Sequence, residues 1–490
     1  MLLLFKKSAI TLGLISTLSI LGGCGSDDNQ APELSGNLSV TVAENTTTVA
    51  QYTATDVGDV LTFSLEGSDQ QLFTIDNAGA VEFINAPDFE SGDIGPYSFT
   101  VTVTDAKGLT DSIEVTVNVG DELDTPSLAV VQTLAADYSS SQVAYLDTTT
   151  QTVEDGFYAK TQSDYTINVY ENELFHIGRF FIDTISKYNT EDANTEIWSY
   201  STQDDLDSTS RNPYTLVPLS AEKAYLIRYG SDKIWIVNPQ ADNFESFKIG
   251  ELDLSSYIPD NNTLGTPSPS AAVINDGKLF VAMQRLDDAY AASNTVYLAV
   301  FDTTTDTEIE TNADATDNVM GIPILGLNPL EHSVRAFEDN VYITTRDSYA
   351  AISPALSMIE KVDTNDFSLS TVLTATDITD NTSQFIQSAV VVSADKGYFF
   401  ANETFFGPYR EESTLYQFNP STGEINSEAA YDLESSNIGF IDVDTAGFLW
   451  ISVREDAAPG VEIIDTDTNL PYIERLATQL NPSVIRFLQQ

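Results

Sequence analysis

The sequence predicts an all-β protein with two folded parts, a β-sandwich over residues 33–120 and a seven-bladed β-propeller over residues 125–490. Two observations lead to this prediction. In the first part, short runs alternate apolar and polar residues, as half-buried strands do. In the second part, one strand-and-turn pattern recurs seven times, which is typical of a fold built from repeated sheets.

Residues 1–24 have the features of a secretory signal. Lys6 and Lys7 provide the positive charge, and residues 8–20 form an apolar run that is short for a membrane-spanning helix. The motif Leu21-Gly22-Gly23-Cys24 resembles the lipobox of bacterial lipoproteins, in which small residues precede the cysteine that receives lipid. The alternative is a buried helix with a core cysteine.

This resemblance implies that Cys24 is lipidated and that the protein is bound to a membrane through it. Acyl chains contribute about 0.8 kcal/mol per buried methylene, so several chains make a stable anchor. Gly25 after the cysteine resembles lipoproteins of the outer membrane, on either the periplasmic or the surface face. Residues 25–32 (GSDDNQAP) are polar enough to form a flexible tether.

Residues 33–120 alternate apolar and polar positions in several short runs separated by Gly, Asp and Asn. The clearest runs are 38–42, 60–65, 97–103 and 113–119. About seven such strands in roughly 90 residues predict a single β-sandwich.

Four motifs in this part resemble a cadherin repeat. They are Ala43-Glu44-Asn45, residues 52–56 (YTATD), Pro87-Asp88-Phe89-Glu90, and residues 101–105 (VTVTD). The resemblance implies a Ca²⁺ site, because calcium takes six to eight oxygen ligands and clustered carboxylates supply them. Residues 120–124 (GDELD) depart from the family's linker in lacking its asparagines. The expected ligands are Glu44, Asp88, Glu90, Asp121 and Asp124; the alternative is a solvated acidic surface.

Residues 125–490 contain a loose repeat whose mark is a strand that ends in Asp or Asn. The marked positions are 147, 189, 238, 302, 363, 419 and 465, between 42 and 64 residues apart. A short Asp or Asn side chain accepts a hydrogen bond from the backbone two residues on, which suits a hairpin turn. We expect residues 484–487 to close the ring against residues 127–134. The pattern is similar to YncE-type and surface-lipoprotein propellers in general form only, and several separate sandwiches are the alternative.

A second strand in each repeat is aromatic and aliphatic, and in five of six instances it ends in arginine. These arginines, half of the ten in the chain, are Arg179, Arg228, Arg285, Arg346 and Arg454. On one face of a propeller they would form a ring that clamps an anionic ligand through bidentate hydrogen bonds. The alternative is that each arginine pairs with an acidic neighbour.

The composition restricts the partners. With 21 Lys+Arg against 74 Asp+Glu, the formal charge of −53 argues against nucleic acid, which needs a basic surface. One cysteine and two histidines exclude an intrachain disulfide and Cys- or His-rich metal sites.

No motif indicates catalysis. His176 and His332 belong to no recognisable triad. The sequence does not exclude a catalytic pair of carboxylates of the glycosidase kind. The sequence therefore predicts a non-catalytic, lipid-anchored, calcium-binding cell-envelope protein for recognition or adhesion to an unknown partner. The alternative is capture of a small anionic ligand for an outer-membrane transporter, which rests on fold analogy.

Overall fold

The computed structural model describes residues 29–57, 60–87, 93–120, 128–190, 195–204, 207–312, 319–348, 354–381, 383–406, 409–426 and 437–488. The chain falls into two compact units, Met1–Glu122 and Leu123–Gln490. Regular structure in the described ranges is almost entirely β-strand. The helical segments there are one α-helical turn, Phe244–Phe247, and the 3₁₀ turns Gln70–Leu72, Ser255–Tyr257, Pro354–Leu356 and Ala375–Asp377.

The first unit contains nine strands in its described part. They are β1 Glu33–Ser35, β2 Ser39–Ala43, β3 Thr48–Gln51, β4 Thr53–Thr55, β5 Thr62–Glu66, β6 Phe73–Ile75, β7 Ala80–Phe83, β8 Tyr97–Thr104 and β9 Thr110–Gly120.

These strands form a sandwich. One sheet has the order β2-β9-β8-β5, with β2 and β9 parallel; β3-β7-β6 and β1-β4 form two smaller sheets. Alternation along β8 buries Phe99, Val101 and Val103 while the residues between them are partly exposed, as the sequence pattern predicted. The fully buried Tyr52 donates its hydroxyl to the Asn37 carbonyl at 2.9 Å, so its polar end is satisfied.

The second unit contains the remaining strands. In its first half they are β10 Leu128–Leu134, β11 Ser141–Asp147, β12 Thr152–Lys160, β13 Tyr165–Tyr170, β14 Glu173–Gly178, β15 Thr184–Asn189, β16 Glu196–Ser201, β17 Pro213–Ser220, β18 Lys223–Arg228, β19 Lys233–Val237, β20 Lys248–Asp253, β21 Pro269–Asn275, β22 Lys278–Met283, β23 Val296–Asp302, β24 Thr307–Glu308 and β25 Ile322–Ile324.

In the second half they are β26 Val334–Phe337, β27 Asn340–Thr345, β28 Met358–Asp363, β29 Leu369–Thr374, β30 Phe385–Ser393, β31 Lys396–Phe406, β32 Tyr409–Phe418, β33 Ile438–Val443, β34 Leu449–Val453, β35 Gly460–Asp465, β36 Leu470–Pro471, β37 Leu476–Ala477 and β38 Asn481–Leu488.

The described residues of this unit form seven antiparallel sheets, the blades of a propeller. From the innermost strand outward they are β38-β10-β11-β12, β13-β14-β15-β16, β17-β18-β19-β20, β21-β22-β23-β24, β26-β27-β28-β29, β30-β31-β32 and β33-β34-β35-β36, numbered blades 1 to 7. Each innermost strand contacts the innermost strand of the next blade, and β33 of blade 7 contacts β38 of blade 1. The seven-bladed propeller is therefore a closed ring.

The ring closes through the C-terminus. Strand β38 pairs antiparallel with β10, with Val131 opposite Ile485 and Leu128 opposite Leu488. The sequence prediction that residues 484–487 join residues 127–134 is confirmed. This pairing fastens the two ends of the unit into one sheet, so blade 1 is complete only when both ends of the unit are in place.

The Asp and Asn marks lie where the third strand of a blade turns toward the fourth. The Asp147 side chain accepts from the Thr149 amide at 2.8 Å, and the Asp302 side chain accepts from the Thr304 amide at 2.9 Å. Equivalent bonds form at Asn238, Asp363, Asn419 and Asp465. The predicted turn chemistry is confirmed at these six positions.

Candidate functional site

The five predicted arginines follow or end the second strand of blades 2, 3, 4, 5 and 7. Because second strands run in the same direction in every blade, these positions lie on one face of the ring. This face also carries the loops that enter the innermost strands. The prediction of a shared face agrees with the topology, but the side chains have separate partners.

Two of the arginines contact the segment that leads into their own blade. Arg228 is buried over the ring of Trp235 at 4.1 Å and its Nη2 lies 2.5 Å from Asp207 Oδ2. Arg285 donates its Nε to the Tyr257 carbonyl at 2.7 Å. These contacts hold strand to loop, as a structural arginine does.

The other three arginines reach the innermost strand of the following blade. Arg346 lies 4.1 Å from the ring of Phe385, and Arg179 lies 5.4 Å from the ring of Tyr214. Arg454 donates its Nε to the Pro482 carbonyl at 3.1 Å. The arginine positions thus bind neighbouring blades together, and their role in holding a ligand stays a prediction.

Arg179 belongs to an ion network that crosses the propeller axis. Asp164 Oδ1 accepts from its Nε at 2.7 Å, and its Nη1 contacts Glu331. Arg179 is in blade 2, whereas Glu331 lies in the loop that enters blade 5. Burial alone raises the pKa of Glu331, but the Arg179 guanidinium and His332 hold it well below its usual range. Glu331 therefore stays ionised at neutral pH, and its pair with Arg179 joins two distant blades.

A cavity of about 340 Å³ lies along the innermost strands, which line the propeller axis. Its walls are the segments 215–218 of β17, 271–273 of β21 and 334–336 of β26, with Asn168, His332, Asp442 and Arg486. Six different innermost strands and one entry loop contribute. Pockets of roughly 300–1,000 Å³ are the usual size of small-molecule sites.

The charged groups of the cavity form one cluster. Asp442 Oδ2 lies 3.7 Å from Arg335 Nη2 and 3.7 Å from Arg486 Nη1. Arg486 Nη2 lies 3.2 Å from His332 Nδ1. The ring of Phe440 packs beside Arg335, Arg486 and His332, at 5.1 Å from the His332 ring. We call Arg335, Asp442, Arg486 and His332 the axial cluster.

The axial cluster is short of hydrogen-bond acceptors. Arg335 Nε and Nη2 are buried and have no hydrogen-bond partner among the described residues. Burial lowers the pKa of Arg486 to about 10, and the neighbouring Arg335 adds to this against the opposing effect of Asp442. Burial also lowers the pKa of His332 to about 4, so the ring is neutral at pH 7. The four side chains of the cluster sum to a charge of +1 in a chain of charge −53, and Glu331 borders them, with its Oε1 3.1 Å from His332 Nε2.

One of the predicted calcium ligands, Glu44, lies among the described residues. Its side chain is buried, directly after the end of β2. The Glu44 amide donates to the Gly120 carbonyl at 3.1 Å, and the Asn45 amide donates to the Pro87 carbonyl at 2.9 Å. Asp88, Glu90, Asp121 and Asp124 lie outside the described residues. Within the described ranges, no three His, Cys, Asp or Glu side chains are grouped to hold a metal ion.

Cys24 and the predicted signal and tether up to residue 28 also lie outside the described residues. In the part of the chain that the structure covers, no helix has the length and hydropathy of a membrane span.

His176 is an internal residue of blade 2. Its ring lies 4.6 Å from that of Tyr165, and neither ring nitrogen has a hydrogen-bond partner in the described part of the chain. Burial, with a smaller contribution from Lys160, lowers its pKa to about 3. These are the surroundings of a core residue.

The sequence did not single out the axial cluster as a site. Arg335, Asp442 and Arg486 each interrupt an otherwise apolar innermost strand, as in Val334-Arg335-Ala336 and Ile441-Asp442-Val443. A charge inside a buried run is the signal that could have found them. The repeated arginines of the second strands did not point to the axial cluster, because they mark packing between blades.

Comparison with known proteins agrees with a two-part chain. Residues 29–118 match the model of a bacterial Ig domain. No curated protein matches the chain by sequence. The similar solved structures include the periplasmic gluconolactonase of Pseudomonas aeruginosa, at 12% identity and a TM-score of 0.49 over 74% of this chain and 99% of that one.

A protein of Lactobacillus plantarum has 12% identity and a TM-score of 0.47 over 74% of this chain and 100% of that one. Apo AztD of Citrobacter koseri has 14% identity and a TM-score of 0.39 over 74% of this chain and 98% of that one. Such identities and scores are too low to transfer an activity or a ligand to this chain.

Proposed function

We propose that this protein is a non-catalytic ligand-binding protein of the cell envelope, whose propeller captures a small anionic molecule. The observation that supports this is the axial cavity, where two arginines face one aspartate. Buried donors without acceptors cost free energy, and an anion that supplies the missing acceptor removes this cost. Among the function classes that the sequence left open, this one fits the cavity best.

The proposal includes attachment to the outer membrane through lipidated Cys24, for which the Leu21-Gly22-Gly23-Cys24 motif and Gly25 are the support. A non-catalytic role is supported by the surroundings of the two histidines. His176 is packed among aromatic rings, and His332 is a neutral neighbour of Arg486. Neither lies in a described nucleophile–base pair.

Anion binding is tested with the full chain by calorimetric titration with sulfate, phosphate, acetate, butanoate and octanoate. We expect at least one anion to bind and to raise the midpoint of thermal unfolding. The Arg486→Gln variant is expected to lose this binding. The matched control Arg410→Gln removes the same charge from an exposed position on β32 and is expected to bind as the parent does. If no anion of the panel binds, the proposed function is wrong.

Calcium-dependent recognition or adhesion is the second candidate, and one observation favours it. Backbone hydrogen bonds place Glu44 and Asn45 beside Gly120 and Pro87, which directly precede Asp121 and Asp88 in the sequence. The cadherin-like reading of the sandwich predicts that these carboxylates share one Ca²⁺. Such a site would stiffen the pole of the sandwich.

The test is a calorimetric titration of the full chain with calcium. Glu44→Gln is expected to weaken calcium binding at least tenfold because it removes one carboxylate ligand. Glu66→Gln, on the exposed edge of β5 in the same sandwich, is the control and is expected to have no effect. Equal binding by the parent and Glu44→Gln would exclude Glu44 as a ligand.

A further inference from the structure

The axial cavity has two chemically different sides. Strands β17 and β21 contribute mainly apolar residues, among them Val217, Ala272 and Val273, beside the polar Thr215. The charges lie on the other side, in the axial cluster carried by β26, β33, β38 and the loop before β26. An occupant that satisfies both sides must be polar at one end and apolar at the other.

The size of the cavity sets the size of the occupant. A volume of about 340 Å³ lies at the lower end of the range of roughly 300–1,000 Å³ that is usual for small-molecule sites. A molecule of about ten non-hydrogen atoms therefore fits.

The charge of the cavity sets the charge of the occupant. Within the cluster, Arg335 and Arg486 carry two positive charges against one negative charge on Asp442. Glu331, whose Oε1 lies 3.1 Å from His332 Nε2, is the next negative charge and is already paired with Arg179. A monoanion therefore suits the cluster, whereas a dianion places a second negative charge near Asp442 and Glu331 in a partly buried site. An inorganic ion would also leave oxygen atoms against the apolar wall without hydrogen-bond partners.

His332 occupies a constrained position beside this cluster. Its backbone has a φ of 64°, in the left-handed region that a residue other than glycine adopts at a cost. Its ring packs edge-on to Phe440 and contacts Arg486. Strained residues that the surrounding structure holds in place concentrate at binding sites.

We infer that the axial cavity binds a small organic monocarboxylic acid, with its carboxylate facing Arg335 and Arg486 and its apolar body against β17 and β21. This inference rests on the proposed capture of an anion and names the class of ligand. The carboxylate supplies the acceptor that the axial cluster lacks. The acid is bound and released unchanged.

The test compares acetate, butanoate, octanoate and sulfate by calorimetric titration of the full chain. Burial of each added methylene against an apolar wall tightens binding roughly fourfold, so octanoate is expected to bind more than tenfold tighter than acetate and sulfate. Arg335→Gln and Arg486→Gln are each expected to weaken octanoate binding at least tenfold. Arg410→Gln serves as the control.

Asp442→Asn gives a result that a merely structural role of the cluster does not predict. It raises the net charge of the cluster from +1 to +2, so octanoate is expected to bind several-fold tighter and sulfate binding to increase by at least tenfold. Tryptophan fluorescence checks that each variant is folded.

The outcomes separate the two proposals. If sulfate binds as tightly as octanoate, or acetate as tightly as octanoate, the monocarboxylic-acid inference is overturned while anion capture stands. If none of the four binds, the monocarboxylic-acid inference fails, and anion capture fails with it when phosphate does not bind either. If octanoate binds but neither arginine variant weakens it, the site lies elsewhere and the assignment to the axial cavity is overturned.

Discussion

The ion pair across the propeller axis makes a quantitative prediction through Glu331→Gln. Glu331 and Arg179 belong to blades 5 and 2, and their side chains are about one-fifth exposed. Removing one partner of a buried pair costs about 3–5 kcal/mol. Arg179 keeps Asp164, with bonds of 2.6 and 2.7 Å, so the remaining charge is partly compensated. We therefore expect a loss of about 2–3 kcal/mol in the free energy of unfolding at pH 7.

The assay is equilibrium urea unfolding of the full chain followed by tryptophan fluorescence. All three tryptophans, Trp198, Trp235 and Trp450, lie in the propeller, so the signal reports this unit alone. The matched control is Glu412→Gln, which breaks the exposed Arg410–Glu412 pair of 2.9 Å. Exposed pairs are worth about 0–1 kcal/mol, so the control is expected to change stability little.

The effect has a defined pH dependence. The folded protein holds the pKa of Glu331 below the ordinary value of 4.5, so the carboxylate stabilises the fold fully above that pH. This contribution declines as the pH falls through the folded pKa. The difference between the parent and Glu331→Gln should thus be largest at pH 7 and shrink below about pH 4.5. Equal losses for Glu331→Gln and Glu412→Gln would refute the importance of the cross-axis pair.

Three further substitutions test other parts of the structure. Ile485→Ala, at a fully buried position of the closing strand β38, is expected to cost about 2–4 kcal/mol in the same urea assay, and an unchanged midpoint would contradict closure through this strand. His176→Phe removes two buried nitrogens without partners and is expected to raise stability by up to about 1 kcal/mol. The folded pKa of His176, about 3, lies below its ordinary value, so the parent loses stability as the pH falls from about 6.5 to 3. His176→Phe lacks this group and should lose less stability over the same range; equal losses in the parent and the variant would argue against this. Tyr52→Phe removes the bond to Asn37 and is expected to destabilise the sandwich by about 1 kcal/mol in scanning calorimetry, while the propeller transition stays in place.

Much of the architecture could be predicted because it depends on local chemistry. Alternation along residues 97–103 requires a half-buried strand wherever that strand is placed, and the structure buries Phe99, Val101 and Val103. Asp147 and Asp302 shape their turns through bonds to amides two residues on, which needs no distant partner. Repetition of such units then predicts a ring of similar sheets.

The roles of the arginines could not be predicted from their spacing. A repeated position predicts a repeated place in the fold, and the five arginines do share one face of the ring. Whether a side chain at that place meets a ligand, an aromatic ring or a carboxylate depends on the neighbouring blade. Arg346 meets Phe385 and Arg454 meets the Pro482 carbonyl, 39 and 28 residues away in the chain, respectively.

The sequence by itself determined the all-β class, the division into a sandwich and a propeller, and the closing of the ring, because these follow from periodicity and turn chemistry. Only the tertiary structure decided the axial cluster. Arg335, Asp442 and Arg486 lie on three strands far apart in the chain, and they become neighbours only when seven blades close around one axis. Their shared net charge is a property of that closed ring, since no single repeat contains more than one of them.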